Sequence, residues 1–154
     1  MANFVTAEEA VSKIADGAVI ATSGFVGAIV AEHVLKALQK SFLEKGTPRD
    51  LTVVFAAGQG DGKEGGLNHF GEEGLLRCII GGHYNLSPRV GKLAMENKIE
   101  AYNFPQGTMS QWFRDIAGRR PGTITKVGLD TFVDPRIEGG RLNEKSPAGR
   151  VEVI

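Results

Sequence analysis

The sequence predicts an α/β fold in which a mostly parallel β-sheet carries helices on both faces, a three-layer α/β/α architecture. Short apolar, β-branched runs begin near residues 18, 51, 76 and 99 of the 154-residue chain, and segments of helical periodicity separate them. Such alternation is typical of parallel strands joined by right-handed crossover connections. The 21 glycines gather where the apolar runs end, as expected for turns at the carboxyl ends of strands.

The N-terminal third predicts two helices and one strand. Thr6 and Glu9 form a capping-box pattern before a short helix, which the turn pair Asp16-Gly17 stops. Residues 18–22 predict a buried strand, because they are small or β-branched and are flanked by turn residues. The apolar side chains of residues 30–45 recur at helical spacing and predict an amphipathic helix.

The middle of the chain predicts three more strands. Residues 51–56 and 77–81 form the second and third, with a short helix expected near residues 70–75. Ser87-Pro88 predicts the start of a helix, with a capping serine and a proline at the first helical position. Residues 99–104 predict the fourth strand.

The C-terminal third is less regular. Thr108 and Gln111 form a second capping-box pattern, which predicts a helix that runs to Ala117. Beyond that helix, only residues 124–127 and 151–154 have an extended pattern. Because the chain ends inside the second of these, we expect a truncated domain.

The composition argues against several classes of protein. Lys plus Arg and Asp plus Glu each number 18, a balance that favours neither nucleic-acid binding nor attraction to anionic membranes. The sequence has no apolar run of transmembrane length, and its N-terminus lacks a signal-peptide pattern. Cys78 is the single cysteine. It lies in an apolar stretch, which predicts an inert buried thiol and fits a cytoplasmic location.

Four segments should meet where the strands end. They are residues 23–27, 57–66, 81–85 and 105–108, all rich in glycine or uncharged polar residues. Glycine lets a backbone approach a ligand and present its N–H groups, so we predict a binding edge that includes His83. Short strand-to-helix turns would account for some of these glycines without any ligand.

The glycine-rich loop at residues 58–66 is a poor nucleotide site. Gly60, Gly62 and Gly65 satisfy the pattern G-x-G-x-x-G, but they lie several residues past the strand and open no obvious helix. As a P-loop it would begin at Ala57 instead of glycine and would carry Glu64 in place of Ser or Thr. The three histidines are scattered, without carboxylates or thiols at metal-ligand spacing. We therefore expect a mobile surface loop and no metal site.

Gln106 lies where a strand gives way to a helix. Its amide NH₂ and the nearby backbone N–H groups could together hold a developing negative oxygen. From the residues alone, an ordinary turn role for Gln106 is equally open. Glu138 is the best glutamate candidate for a nucleophile, but it follows the turn-like sequence Asp134-Pro135-Arg136, and we expect a structural turn there.

Three stretches, residues 81–88, 96–107 and 126–136, closely resemble class I CoA-transferases. The similarity runs essentially end to end and is closest to the fused-chain subgroup that contains propionate, acetate and acetoacetate CoA-transferases. The resemblance implies an enzyme of related α and β portions, of which residues 1–154 would be a single, incomplete α domain. It also implies acyl-CoA and small carboxylic acids as ligands, the β portion as partner, and a homo-oligomer when complete.

The same resemblance implies covalent chemistry. In the family, a glutamate of the β portion attacks the acyl-CoA thioester and forms an anhydride, which CoA thiolate converts to a glutamyl-CoA thioester. Gln106 matches the glutamine that supplies part of the oxyanion hole. Coenzyme A is then a substrate, and neither a metal nor a redox cofactor is expected.

Two departures leave the preferred acyl group open. Relatives often have a G-G-F-G-like phrase where this chain has residues 23–27, and some place asparagine where Ala57-Gly58 stands. The substrate-binding residues that we predict are Ser23, Gly24, Phe25, Val26, Gly27, Ala57, Gly58 and His83. An acyl-CoA hydrolase of the same family and a non-catalytic ligand-sensing α/β module are the alternative functions.

Overall fold

A computed structural model describes residues 3–152 and places four strands in one parallel sheet. The strands, in their order across the sheet, are β1 (Val19–Ala21), β2 (Leu51–Phe55), β3 (Leu76–Gly81) and β4 (Glu100–Asn103). Each strand runs parallel to its neighbour. The predicted strands and their direction are confirmed.

Helices cover both faces of the sheet, as predicted. The elements on the first face are α1 (Ala7–Val11), α2 (Glu32–Lys45), a 3-10 helix (Gly66–Phe70) and α3 (Pro88–Met95). Their apolar side chains bury Val53 and Ile79 of the central strands completely. Burial of one such side chain contributes about 1.5–3 kcal/mol to the free energy of unfolding. On the second face, α4 (Gln106–Ala117) packs through Met109 against Ile80.

The prediction that the first strand is buried is wrong for one of its faces. Val19 is 70% exposed and Ala21 is also exposed, whereas Ile20 packs against the core. β1 lies at the edge of the sheet. α4 packs on the face to which Val19 belongs, but it covers only β2, β3 and β4 there. Small and β-branched residues indicate a strand, but they do not say which strand lies at an edge.

One local capping prediction is confirmed and another is wrong. The hydroxyl of Thr6 accepts a hydrogen bond from the Glu9 backbone N–H at 3.1 Å, and the Glu9 carboxylate accepts one from the Thr6 N–H at 2.8 Å. Pro88 is the first residue of α3, as expected. The hydroxyl of Ser87, however, caps no helix. It donates instead to the carbonyl of Gln59 at 3.0 Å.

Two other helix starts differ from the prediction. The short helix expected at residues 70–75 lies earlier, because Gly74 adopts φ +91°, a conformation incompatible with a right-handed helix. α4 begins at Gln106 and does not use a Thr108 cap. The carbonyl of Pro105 already accepts the Met109 N–H at 3.0 Å, so the helix starts earlier than the capping pattern suggested.

Residues 118–152 contain neither a helix nor a strand longer than one isolated bridge. The segment 124–127 is therefore not a strand, Val151 lies in a bend, and residues 153–154 fall outside the described part of the chain. Part of this segment covers the free edge of β4. There the Asn103 N–H donates to Gly140 at 2.8 Å, and the Leu142 N–H donates to Ala101 at 2.9 Å.

Within the part of the chain that the structure describes, every helix is too short or too polar to span a lipid bilayer.

Cys78 is fully buried on the second face of the sheet, as expected. The Arg150 guanidinium lies 4.7 Å from the Tyr102 ring centre, with one nitrogen 3.6 Å from the Cys78 sulfur. Burial raises the pKa of the thiol to about 11, so the thiolate fraction at pH 8 falls by roughly a hundredfold relative to an exposed cysteine.

We expect Cys78 to react with a disulfide reagent at least about a hundredfold more slowly in the folded chain than in the urea-unfolded chain. The measurement is the rate of thiol labelling at pH 8 in the two states. Similar rates in the two states would contradict the burial of the sulfur.

Candidate functional site

The turns that follow all four strands meet at the carboxyl edge of the sheet. The first contact joins the turns after β1 and β2. The Val26 N–H donates to the carbonyl of Gly58 at 2.8 Å, and the Gly60 N–H donates back to Val26 at 2.8 Å. The expected convergence of these turns is therefore present.

The second contact joins the turns after β2 and β3. A methyl group added to Gly58 would lie 2.5 Å from Cδ2 of His83, so the imidazole rests directly on the bare backbone of Gly58. Gly58 is buried and His83 is half-buried. Only glycine lets the ring approach this closely.

The third contact joins the turns after β3 and β4. A methyl group added to Gly82 would lie 2.5 Å from Cγ of Gln106 and would overlap the carbonyl of Ala56. The Phe104 N–H also donates to the carbonyl of Gly81 at 3.0 Å. Gln106 is thus held against the turn that carries His83.

Gln106 is the first residue of α4 and is exposed. Its amide can therefore reach a ligand at this edge. The first N–H groups of an α-helix have no partner within the helix. They point out of its N-terminus, which is the positive end of the helix dipole. The arrangement provides neutral hydrogen-bond donors that could stabilise a negative oxygen.

Gly82→Ala tests this packing. We expect it to destabilise the fold by about 1–3 kcal/mol, because the Ala56 carbonyl is backbone and cannot move aside. The measurement is urea denaturation of the purified chain. Gly107→Ala is the matched control, since a methyl group there meets nothing within 4 Å, and it should be neutral or slightly stabilising. Equal stability of the two variants would contradict the close approach.

The remaining predicted site residues lie in the same turns. Ser23, Gly24, Phe25 and Gly27 belong to the turn after β1, and Ala57 follows β2 beside Gly58. The hydrogen bonds that tie the first turn to the next are those of Val26. The structure thus places all eight predicted binding residues at one edge of the sheet.

Backbone strain in the first turn could not be seen in the sequence. Val26 and Ile29 adopt φ +56° and +58°, a region that β-branched residues rarely enter. The Phe25 and Ala28 backbones close the turn with reciprocal hydrogen bonds of 3.0 and 2.9 Å. Ile29 is 89% exposed and was not among the predicted site residues.

The glycine-rich loop offers no phosphate cradle. The Asp61 carboxylate accepts the backbone N–H groups of Lys63, Glu64 and Gly65 at 2.8, 3.0 and 3.0 Å. These hydrogen bonds, first that of Lys63, lower the pKa of Asp61. The N–H groups that a phosphate would need are occupied, which supports the rejection of a P-loop. The three hydrogen bonds close a turn over residues 61–65, and the mobility of the loop stays a prediction.

Glu138 lies in an exposed turn, as expected, and its carboxylate accepts a hydrogen bond from Arg141 at 3.2 Å. Nearby, Asp134 is buried and fixes the turn. Its pKa lies well below the usual range, first because of the Arg136 guanidinium and then because of backbone N–H groups. Across residues 3–152, no three His, Cys, Asp or Glu side chains are grouped so as to hold a metal ion.

The sequence model of the family described as Coenzyme A transferase matches residues 4–152. The chain belongs to the coenzyme A transferase family. It is 38% identical to the acetate CoA-transferase YdiF of Escherichia coli K12 over 97% of its length, and that match covers 28% of the relative. It is also 38% identical, over its whole length, to 29% of the caffeate CoA-transferase of Acetobacterium woodii.

Solved structures agree with this assignment. The fold superposes with a TM-score of 0.95 on the E. coli O157:H7 acyl-CoA transferase YdiF, solved as a thioester complex with CoA. That match covers 97% of this chain and 30% of the other. The chain thus spans less than a third of these relatives. This chain is also 27% identical to the acetate CoA-transferase subunit alpha of E. coli K12, in a match that covers 85% of this chain and 56% of that subunit.

Proposed function

We propose that this chain is the α part of a CoA-transferase that moves coenzyme A between short-chain acyl-CoA and a carboxylic acid. The observation that carries the proposal is the position of Gln106, at the start of α4 and against Gly82, where all four strand-end turns meet. Membership of the coenzyme A transferase family supports it.

In the proposed reaction, the nucleophile is a glutamate outside this chain. Its carboxylate adds to the thioester carbonyl, whose oxygen becomes an oxyanion. Collapse of this adduct expels CoA thiolate and leaves an acyl-glutamyl anhydride. The thiolate then attacks the glutamyl carbonyl, releases the first acid and forms glutamyl-CoA, and a second carboxylate reverses these steps. No proton, metal or redox cofactor takes part, and coenzyme A is a substrate.

Gln106 would stabilise the oxyanion by donating from its amide Nε2. Such a donor works best where water is excluded and the dielectric constant is low. Gln106 is exposed in this chain, so the proposed role requires another part of the protein to cover it. We infer that the β portion of the enzyme provides this cover.

Exposed apolar side chains support such a partner. Val19, Phe25 and Ile29, which lie on β1 and in the turn that follows it, are 70, 64 and 89% exposed, and grouped apolar side chains mark an interaction surface more often than single ones do. The printed name of one relative, acetate CoA-transferase subunit alpha, supports the proposal of a separate partner portion. We propose that the complete protein is a cytoplasmic homo-oligomer.

The substrate acids would be bound by the turn at residues 23–27, by Ala57-Gly58 and by His83. Most of these residues are small or uncharged, which suits a short acyl chain better than a charged one. His83 offers the polar contact, and its ring is held in place by Gly58.

A direct assay separates transferase from hydrolase. The complete protein is incubated with propionyl-CoA, with and without acetate, and acetyl-CoA formation is followed by chromatography. A transferase should consume propionyl-CoA only when acetate is present. Equal consumption without acetate would identify a hydrolase. Stabilisation by a sugar phosphate but not by CoA in a thermal-shift experiment, with no turnover, would instead indicate a ligand-sensing module.

A further inference from the structure

His69 lies in a buried polar cluster behind the glycine-rich loop. The side chain of this residue, in the 3-10 helix, is only 8% exposed. Its Nε2 lies 2.8 Å from a carboxylate oxygen of Glu32, and its Nδ1 lies 2.6 Å from Oε1 of Gln39. Both partners belong to α2. Each ring nitrogen therefore faces an oxygen.

The orientation of Gln39 is set by its other neighbour. Its Nε2 donates to a Glu72 oxygen at 2.7 Å, and Arg89 donates to the same oxygen. A carboxylate held by Arg89 is ionised and can only accept. If the Gln39 amide were reversed, its oxygen would face the Glu72 carboxylate without a hydrogen between them. Gln39 therefore presents an acceptor to His69.

We propose that His69 is a positioning residue held as an imidazolium, which donates from both ring nitrogens and fixes the glycine-rich loop behind the candidate site. The hydrogen bond from the Gly66 N–H and the lowered pKa of Glu32 mark that side chain as an ionised carboxylate, which only accepts. A neutral imidazole has one donor and one acceptor, so it could satisfy only one of these two oxygens. The proposal depends on this geometry and not on the reaction that we assign to the enzyme.

The surrounding charges agree with a cation at this position. The carboxylates that face the cluster are those of Glu32, Glu64 and Glu72, and the fixed cations are Lys36 and Arg89. A protonated His69 supplies the third positive charge and balances the cluster. Burial alone would raise the pKa of Glu32, but the hydrogen bonds from His69 and Gly66 outweigh it and lower that pKa overall.

The ion pair reaches the candidate site through the backbone. The second oxygen of Glu32 accepts the Gly66 N–H at 2.8 Å. Gly66 has φ +66° and packs so closely on Gly60 that an added methyl group would lie 2.7 Å from it. Gly60 in turn donates to Val26. Charge on His69 thus orients Glu32, and Glu32 holds the loop that meets the first turn.

Nitrogen NMR of the histidine rings tests the charge. In the ¹⁵N-labelled chain at neutral pH, both His69 nitrogens should resonate at protonated positions. Glu32→Gln should keep an oxygen toward Gly66 while it presents an amide donor to His69. The ring should then become neutral, with hydrogen on Nδ1 only. His33 and His83, assigned by substitution, should be unchanged between the two proteins.

Amide hydrogen exchange tests the positioning. Glu32→Ala should speed exchange at Gly60 and Gly66 by roughly tenfold, as expected for loss of a charge-assisted hydrogen bond, whereas Glu32→Gln should not. Glu44→Ala, an exposed position on the same helix, is the matched control. An unprotonated His69 nitrogen in the unmodified chain, a doubly protonated ring in Glu32→Gln, or unchanged exchange in Glu32→Ala would each overturn the proposal.

Discussion

Replacing Gln106 by alanine in the complete enzyme is expected to lower kcat by roughly 10²–10³-fold, the usual loss for one oxyanion donor. The amide interacts most strongly with the oxygen once that oxygen carries negative charge, so KM should change less than kcat. The measurement is steady-state CoA transfer from propionyl-CoA to acetate, with both substrates varied.

Gln111→Ala is the matched control for this experiment. It removes the same side chain from the same helix, where Gln111 donates to Asp115 at 3.1 Å. Its kcat should remain within a few-fold of the unmodified enzyme. Near-normal kcat in a folded Gln106→Ala enzyme would leave Gln106 as a turn residue without a catalytic contact.

Much of the fold could be predicted because its signals are local. The Thr6–Glu9 capping box depends on residues three positions apart, and both of its hydrogen bonds are present. The strands follow from short apolar runs, and their parallel direction follows from the segments between them. The exposure of Val19 could not be predicted, because it depends on where β1 lies in the sheet and on where α4 packs.

The sequence predicted which segments form the candidate site, but it did not predict which side chains touch each other there. Glycine clusters at strand ends indicated which turns would meet, and the resemblance to CoA-transferases selected Gln106. The ring of His83 lying on Gly58 could not be predicted, since it joins two turns that are 25 positions apart. His69 was missed for the same reason. Its partners lie 37 and 30 residues away, and no spacing rule connects them.

This chain alone is expected to show no CoA-transferase activity. The proposed mechanism needs a carboxylate that carries first the acyl group and then coenzyme A, and we place that glutamate outside residues 1–154. Intact binding turns cannot replace it. The assay is transfer from acetyl-CoA or propionyl-CoA to a second acid, with the purified chain and then with the chain plus the β portion. Turnover should appear only in the second mixture.

Glu138 provides the decisive control, because it is the best candidate nucleophile within the chain. The structure places it in an exposed turn, where Arg141 holds its carboxylate. In the proposed mechanism the nucleophile belongs to the β portion, and the Glu138 carboxylate is already engaged by the Arg141 guanidinium. Glu138→Gln should therefore leave the reconstituted activity unchanged. Robust turnover by the chain alone, abolished by Glu138→Gln, would make Glu138 the nucleophile and the chain a complete catalytic unit.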